Sequence, residues 1–400
     1  MKNAYIISAC RTPFGKYGGA LKDVRPDDMA GIVIAEAVKR AGIDTHAIDD
    51  VIIGCANQAG EDNRNVGRMG VLLAGLPERT PATTINRLCG SSLDAIIQAS
   101  RAIMTGEANI IVAGGVESMT RAPYSIPKNV SGSALFGNLT AYDTALGWRY
   151  PNPALEKMFP FEVMGETADN VAEQWNISRE DQDLFALQSH QRAVAAQNRG
   201  AYDDEIVHLT VAQRKGDPIT ISKDEQPRSD TSLDKLATLR AAFRKGGTVT
   251  AGNSSSLNDG ASAVVVVSEE VVKQLGVEPL GRYVSSGVEG LSPRIMGVGP
   301  IFAVEQLLKR AGRTLEDIDL FELNEAFASQ SLAVIRHFKL DPDKVNVNGG
   351  AIAIGHPLGA SGGRLVGTLL YEMRRRNLKR GIATMCIGVG QGIAALFERD

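Results

Sequence analysis

Four cysteines are scattered through 400 residues, and no two have the spacing of a metal knuckle. Cys10, Cys55, Cys89 and Cys386 therefore predict neither a zinc site nor a disulfide framework. Long apolar runs are missing too, and none approaches the length of a membrane span. The start, Met1-Lys2-Asn3-Ala4-Tyr5-Ile6-Ile7-Ser8, lacks the apolar core of a secretion signal and reads as a first strand. The expected compartment is the cytoplasm, with no membrane partner. Nor is there an excess of basic charge: 43 Lys and Arg face 46 Asp and Glu, a net of -3. No global field would recruit nucleic acid. The one dense basic run, Arg374-Arg375-Arg376, closes a predicted helix, where cations complement the dipole.

What is present is glycine, 42 of them, in a chain that is 44% hydrophobic and 22% charged. That is globular composition, and the length suits two or three lobes. Strand-like and helix-like segments alternate. Ala4–Ala9 and Val51–Ile53 read as strands. Asn109–Ala113 reads as another, closed by Gly114-Gly115. Pro26–Ala41 reads as a helix, with Pro26, Asp27 and Asp28 at its start and Gly42 at its end. Ser91–Met104 carries helical apolar spacing through Leu93, Ile96, Ile97 and Ile103. The alternation predicts an α/β sheet with helices packed on it.

A faint repeat runs through this pattern. Lys39-Arg40-Ala41-Gly42 precedes Ile48-Asp49 and a strand, and Lys309-Arg310-Ala311-Gly312 precedes Ile318-Asp319 and a strand at the same spacing. Asn109–Ala113 likewise corresponds to Gly381–Ile387. Two similar α/β halves follow, residues 1–118 (completed by about 249–270) and 271–400. Between them, at 119–248, the composition changes. Pro, Gly and Asn are frequent up to Pro160. Two polar amphipathic helices follow, near Glu166–Trp175 and Ser178–Asn198, the second with a capping signal at Ser178. Long insertions in compact folds tend to carry binding parts.

Cys89 stands in Asn86-Arg87-Leu88-Cys89-Gly90-Ser91-Ser92-Leu93-Asp94, between a strand ending near Ile85 and a helix starting near Ser91. Ser91 and Asp94 have the spacing of a cap. A thiol at a helix N-terminus gains from free N–H groups and the dipole, which favour a thiolate. The alternative is a buried structural cysteine. His356 sits in a glycine-rich stretch, Gly349 to Gly363, as a base for a thiol or as an incidental histidine in a tight contact. Cys386 ends a strand ahead of Gly388, whose N–H is placed to enter a site; its alternative is again core packing. Asn324 either caps a helix or holds water against a developing oxyanion. In a parallel α/β sheet, such turns gather at the carboxyl edge.

These segments resemble the thiolase family over essentially the whole length. Asn86-Arg87-Leu88-Cys89 is similar to the family's nucleophile segment, and Asn324-Glu325-Ala326-Phe327 to its NEAF loop. Gly355-His356-Pro357 resembles the GHP loop, and Cys386-Ile387-Gly388 the CxG loop. Ala251-Gly252-Asn253-Ser254-Ser255 with Asn258-Asp259-Gly260-Ala261 resembles the segment along coenzyme A. The resemblance implies two βαβαβαββ halves in a five-layered αβαβα fold, an inserted loop domain that binds coenzyme A, and a homodimer that is often a homotetramer. It implies an acyltransferase for acyl-CoA and coenzyme A, with coenzyme A as co-substrate, no permanently bound cofactor and no metal. Fatty-acid β-oxidation is one role of such enzymes.

The implied roles are specific. Cys89 attacks a 3-oxoacyl-CoA, helped by His356. Asn324, through a water, and His356 hold the first oxyanion. Cys386 protonates the leaving acetyl-CoA enolate and then deprotonates coenzyme A. N–H groups of Cys89 and Gly388 hold the second oxyanion. Ser255, Arg228, Phe243, Met164, Ala326 and Phe327 match coenzyme A positions. Two departures stand out: Ser92, where the family usually has Gly, and Ser256, where it has Gly or another small residue. The segments 54–65 and Gly147-Trp148-Arg149-Tyr150 are particularly similar to thiolases acting on 3-oxoadipyl-CoA, a subgroup of aromatic catabolism. The extra carboxylate of that substrate wants a cation; Arg149 is a candidate, and a plain surface arginine is the alternative. Competing functions are acetoacetyl-CoA thiolysis, a decarboxylating condensing enzyme and a non-catalytic acyl-CoA binder. The single histidine motif and the second cysteine favour thiolysis. A glycine-loop phosphate binder lacks its lysine motif.

Overall fold

The apolar runs of the chain form one mixed sheet of ten strands, with two short hairpins beside it. This is a computed structural model, and it describes residues 2–128, 138–213 and 215–399. In chain order the strands are β1 (Ala4–Arg11), β2 (Gly15–Lys16), β3 (Asp50–Gly54), β4 (Ala82–Ile85) and β5 (Ile110–Ser118). Then come β6 (Tyr124–Ser125), β7 (Tyr142–Asp143), β8 (Leu209–Val211) and β9 (Ile219–Ile221). Last are β10 (Asn258–Ser268), β11 (Gly281–Gly290), β12 (Leu320–Leu323), β13 (Arg380–Ile387) and β14 (Gln391–Glu398). The large sheet runs β12-β13-β14-β11-β1-β10-β5-β3-β4, with β2 beside β10.

That order contains the expected repeat. The first half reads β1-β10-β5-β3-β4 and the second β11-β14-β13-β12. In both, the outer strands pair in parallel, β4 on β3 on β5 and β12 on β13. In both, the later strand lies antiparallel between its neighbours. A parallel bridge from Phe321 to Val345 stands where β4 stands in the first half. The halves join where Ala4 faces Tyr283 in the β1–β11 pair. The long insertion lies between β5 and β10. At the corresponding place in the second half, β13 turns into β14 through Gly388, Val389 and Gly390 alone.

Burial explains the layers. Apolar faces of both half-sheets, Ile111 and Val264 on one side and Met385 and Ile393 on the other, share a core with helices Ser91–Thr105 and Leu358–Arg376. Outer helices Pro26–Ala41 and Val66–Leu73 cover the opposite face of the first half. Gly299–Ala311 and Ala328–Phe338 cover that of the second. The result is αβαβα. Apolar burial in layers of this kind supplies the main favourable term of folding.

Local signals place most boundaries. Pro26 opens its helix, and Gly42 closes it in a left-handed conformation, φ 63°. Ser178 caps Arg179–Asn198 by accepting from the Asp181 N–H at 3.0 Å. β5 departs from expectation: it continues through Gly114-Gly115 to Ser118. A Cβ on Gly114 would lie 2.0 Å from the Ser262 carbonyl oxygen, and one on Gly115 2.0 Å from that of Gly359. These glycines admit a neighbouring strand and a central helix rather than ending the strand.

Among the described residues, no helix is long and apolar enough to cross a membrane. The insertion contains helices Met164–Gln174 and Arg179–Asn198 and both small hairpins. Buried Arg11 of β1 ties it to the body through Asp224 and Glu205.

Candidate active site

Cys89 lies in a 3-10 turn, Leu88–Gly90, directly ahead of the central helix Ser91–Thr105. Leu88 is held at φ 47°, a left-handed conformation that costs an ordinary L-residue about 1–2 kcal/mol. The expected cap is not formed. Ser91 is the first helical residue; its hydroxyl donates to the Leu88 carbonyl at 2.6 Å and accepts from the Arg87 N–H at 2.9 Å. Asp94 instead meets Arg87 at 3.0 Å. Both side chains fix the turn that carries the thiol.

Opposed influences act on the thiol. Burial pushes it up to about 11, although the backbone N–H groups of Gly388 and of Cys89 itself point at the sulfur and act in the opposite sense. Cys386 is buried beside it; burial and the neighbouring Cys89 raise its thiol too. Leu323 pairs with Thr384 across β12 and β13, so Asn324 and Cys386 leave adjacent strands at the same edge.

Asn324 does not cap a helix, since the next one begins only at Ala328. Its Nδ2 lies 3.3 Å from Nε2 of His356, and its Oδ1 is buried without a protein partner. A buried amide oxygen in that state is suited to a water. The other ring nitrogen, Nδ1, is 2.6 Å from the Ser361 hydroxyl, which donates to the Pro357 carbonyl at 2.8 Å. Ser361 therefore accepts from Nδ1–H, and Nε2 keeps its lone pair. Burial, with Arg364 adding, pushes the imidazole down to about 3. Both shifts favour the uncharged form of each side chain.

Two further groups position these residues. Asn258 Oδ1 accepts from the His356 N–H at 2.9 Å, while its Nδ2 donates to the Gly15 carbonyl at 2.8 Å. Glu117 Oε2 accepts from Ala56 and Gly359, both at 2.9 Å, and Oε1 from Asn57 at 3.0 Å. Burial raises that carboxyl to about 7. Sequence reasoning missed Ser361 and Glu117. Ser361 carried a signal, a hydroxyl one turn beyond the histidine; Glu117 carried none, because its partners are backbone groups of two distant loops.

The two serine departures have physical places. Ser92 Oγ accepts from the Gly363 N–H at 2.9 Å and so joins the heads of the two central helices. Ser256 Oγ donates to Asn258 Oδ1 at 2.8 Å and accepts from Gln226 Nε2, which links the insertion to the residue holding the His356 backbone.

The positions expected to meet coenzyme A fall in two places, Arg228 at a cleft and the others near Cys386. Arg228 borders an open cleft of about 310 Å³ with His190, Lys235, Gly252, Ser254 and Ser256. Ser255 donates twice to the Ala326 carbonyl, from N–H at 2.9 Å and Oγ at 3.0 Å. Ala326 and Phe327 pack with Met164 against Cys386. Phe243 meets Phe327 edge-on, centroids 6.2 Å apart, and lies against Gly165, where any Cβ would strike its ring. Among the described residues, no three His, Cys, Asp or Glu side chains are grouped to hold a metal ion.

A duplicated five-layered fold with a thiol at the head of a central helix defines a class, the acyltransferases. Within it, the chain belongs to the thiolase family: the thiolase N-terminal domain matches residues 4–270 and the C-terminal domain residues 277–399. Thiolases use coenzyme A as co-substrate. The chain is 54% identical to a beta-ketoadipyl-CoA thiolase of Acinetobacter baylyi, covering 100% of both chains. It is 50% identical to the 3-oxoadipyl-CoA/3-oxo-5,6-dehydrosuberyl-CoA thiolase of Escherichia coli, again with 100% of both covered. A solved structure of the Bacillus anthracis acetyl-CoA acetyltransferase superposes with a TM-score of 0.93 at 43% identity, covering 100% of this chain and 99% of that one.

Proposed function

We propose that this thiolase cleaves 3-oxoadipyl-CoA with coenzyme A, giving acetyl-CoA and the four-carbon acyl-CoA that remains, succinyl-CoA. The carrying observation is full-length similarity, at 54% and 50% identity, to two proteins that bear that substrate in their names. The two segments most like that subgroup share a partner in Thr144: Asn57 Nδ2 donates to its hydroxyl at 3.0 Å and its carbonyl at 3.2 Å, and Arg149 Nη1 donates to the same carbonyl at 3.0 Å.

In this reading His356 Nε2 takes the Cys89 proton as sulfur attacks the 3-oxo carbon. Asn324, through a water, and His356 stabilise the first oxyanion. The carbon–carbon bond breaks, and the Cys386 thiol protonates the acetyl-CoA enolate. Cys386 then takes the proton of incoming coenzyme A, whose sulfur releases the acyl group from Cys89. Gly388 and Cys89 N–H groups hold the second oxyanion. One group serves as acid and then base, as microscopic reversibility requires. Coenzyme A would lie along Arg228, Ser255, Phe243, Met164, Ala326 and Phe327, with residues 119–248 as the loop domain. We further assign a homodimer that pairs into a homotetramer, a cytoplasmic location and a role in aromatic catabolism rather than β-oxidation, on the strength of the family resemblance.

Coenzyme A-dependent cleavage of acetoacetyl-CoA, a medium-chain 3-oxoacyl-CoA and 3-oxoadipyl-CoA tests this. The highest kcat/KM is expected for 3-oxoadipyl-CoA. A preference for either uncharged chain overturns the substrate assignment. Carbon dioxide release from a malonyl thioester, without thiolysis, would overturn the reaction itself.

A further inference from the structure

We propose that Arg149 is the receptor for the distal carboxylate of a dicarboxylic 3-oxoacyl-CoA; this rests on the substrate reading above. Such a substrate ends three bonds beyond the carbon that Cys89 attacks. Its carboxylate therefore needs a cation at the wall of the reaction centre, not at the distant nucleotide end.

Two chains of contacts connect the Arg149 loop to that wall. On one side, Asn86 of the nucleophile segment donates from Nδ2 to the Ala56 carbonyl at 2.9 Å. The next residue, Asn57, holds Thr144, and the Thr144 carbonyl accepts from Arg149 Nη1 at 3.0 Å. On the other side, adjacent Trp148 borders a small hollow with Met164 and Val389. Met164 Sδ would stand 3.4 Å from a Cβ on Gly388, the residue whose N–H faces the Cys89 sulfur.

The backbone of the segment is also unusual. Gly147 (φ 86°) and Tyr150 (φ 51°) are left-handed and bracket Trp148 and Arg149. A bulky Tyr in that conformation is uncommon, and such strain gathers at functional loops. The Trp148 indole donates to the Glu162 carbonyl at 3.1 Å and stacks on Phe161, centroids 4.3 Å apart. The arginine is thus presented, not merely tethered.

Its charge is unanswered. Neighbouring cations are taken: Arg87 by Asp94, Arg121 by Glu61, Arg294 by Glu162. Half-buried Arg149 makes one bond, to a carbonyl, and no ion pair among the described residues. A guanidinium has five N–H donors in a planar fork, which matches a carboxylate bidentately. The rival cation is Arg64, an exposed side chain in the loop that carries Asn57.

The test is the ratio of kcat/KM for 3-oxoadipyl-CoA to that for 3-oxohexanoyl-CoA, which has the same length and no second charge. The wild type is expected to favour the diacid, and Arg149→Met to lower the ratio about 100-fold, the scale of losing one partner of a desolvated charge pair. Arg149→Lys keeps the charge but not the fork, and should fall between them; it also serves if the Met variant fails to fold. A wild-type preference that survives in Arg149→Met overturns the Arg149 assignment, and its loss in Arg64→Met alone would give the role to Arg64. A wild type without preference overturns the substrate reading and leaves thiolysis standing.

Discussion

Ser361 Oγ lies 2.6 Å from Nδ1 of His356 and donates its own O–H to the Pro357 carbonyl at 2.8 Å. That arrangement fixes the tautomer in which Nε2, the nitrogen beside Asn324, keeps its lone pair, as the proposed base requires. Replacing Ser361 with Ala removes the acceptor and leaves a buried N–H unsatisfied, a loss of roughly 1–3 kcal/mol. Steady-state cleavage by Ser361→Ala should show kcat lower by about 10–100-fold. KM should change little, because no acyl-CoA group is removed. Ser361→Thr should restore most of kcat. A variant in which KM rises and kcat holds would place Ser361 in substrate binding instead.

The resting charge state is equally testable. With the Cys89 thiol pushed up to about 11 and the His356 imidazole down to about 3, both groups are neutral between these values. Thiolate absorbance near 240 nm should therefore be absent at neutral pH. Alkylation of Cys89 by iodoacetamide should rise about tenfold per pH unit through the ordinary thiol range and level only near the raised value of about 11. The sign follows from burial, which favours the uncharged form of each group. A pH-independent, fast alkylation from pH 6 upward would demonstrate a preformed thiolate–imidazolium pair.

Some of this was legible in the sequence, for identifiable reasons. Helix ends were, because Pro26, Gly42 and Ser178 act within one turn of themselves. The repeat was, because the same Lys-Arg-Ala-Gly stop recurs before β3 and β12. The placing of Cys89, Asn324 and His356 at or beside turns was, because each adjoins a short helix or strand with its own local signal, while Cys386 lies within β13 near its end. The continuation of β5 through two glycines was not, since what approaches them, Ser262 and Gly359, comes from far along the chain. Glu117 was invisible for the same reason. The effect of the helix head on Cys89 was legible, while the opposing desolvation was not, because burial of the thiol is set by residues distant in the chain.

Arg11 carries the attachment of the insertion to the body. It lies 1% exposed, with Nη1 and Nη2 on Asp224 at 2.6 and 2.9 Å and Nε on Glu205 at 2.8 Å. Its guanidinium also lies 5.2 Å from the ring centres of Phe14 and Tyr202. Arg11→Leu leaves two buried carboxylates without their cation and should cost about 3–5 kcal/mol. Denaturant unfolding should show the loss, and limited proteolysis should cut first within residues 202–225. Unchanged stability would mean that the carboxylates find other partners or take up protons cheaply.

Ser92 was the oddity beside the nucleophile, and its place now predicts a modest structural role. The side chain is fully buried in the first turn of the helix behind Cys89. Its hydroxyl accepts from Gly363, so it joins that helix to the one following His356. Ser92→Gly removes this bond, worth about 1 kcal/mol, and adds helical backbone freedom, worth about 0.5–1 kcal/mol. The sum is a destabilisation of roughly 1–2 kcal/mol, read as a lower urea midpoint at unchanged slope. Ser92→Ala loses the bond alone and should fall about halfway. Neither variant removes a group that faces the Cys89 sulfur, since Gly388 and Cys89 supply those N–H groups from the backbone. The alkylation rate of Cys89 at fixed pH should therefore stay within about twofold of wild type, less than the change 0.5 kcal/mol would produce. A larger shift in either variant would show that the hydroxyl sets the position of the thiol, and not only the packing of the two helices behind it.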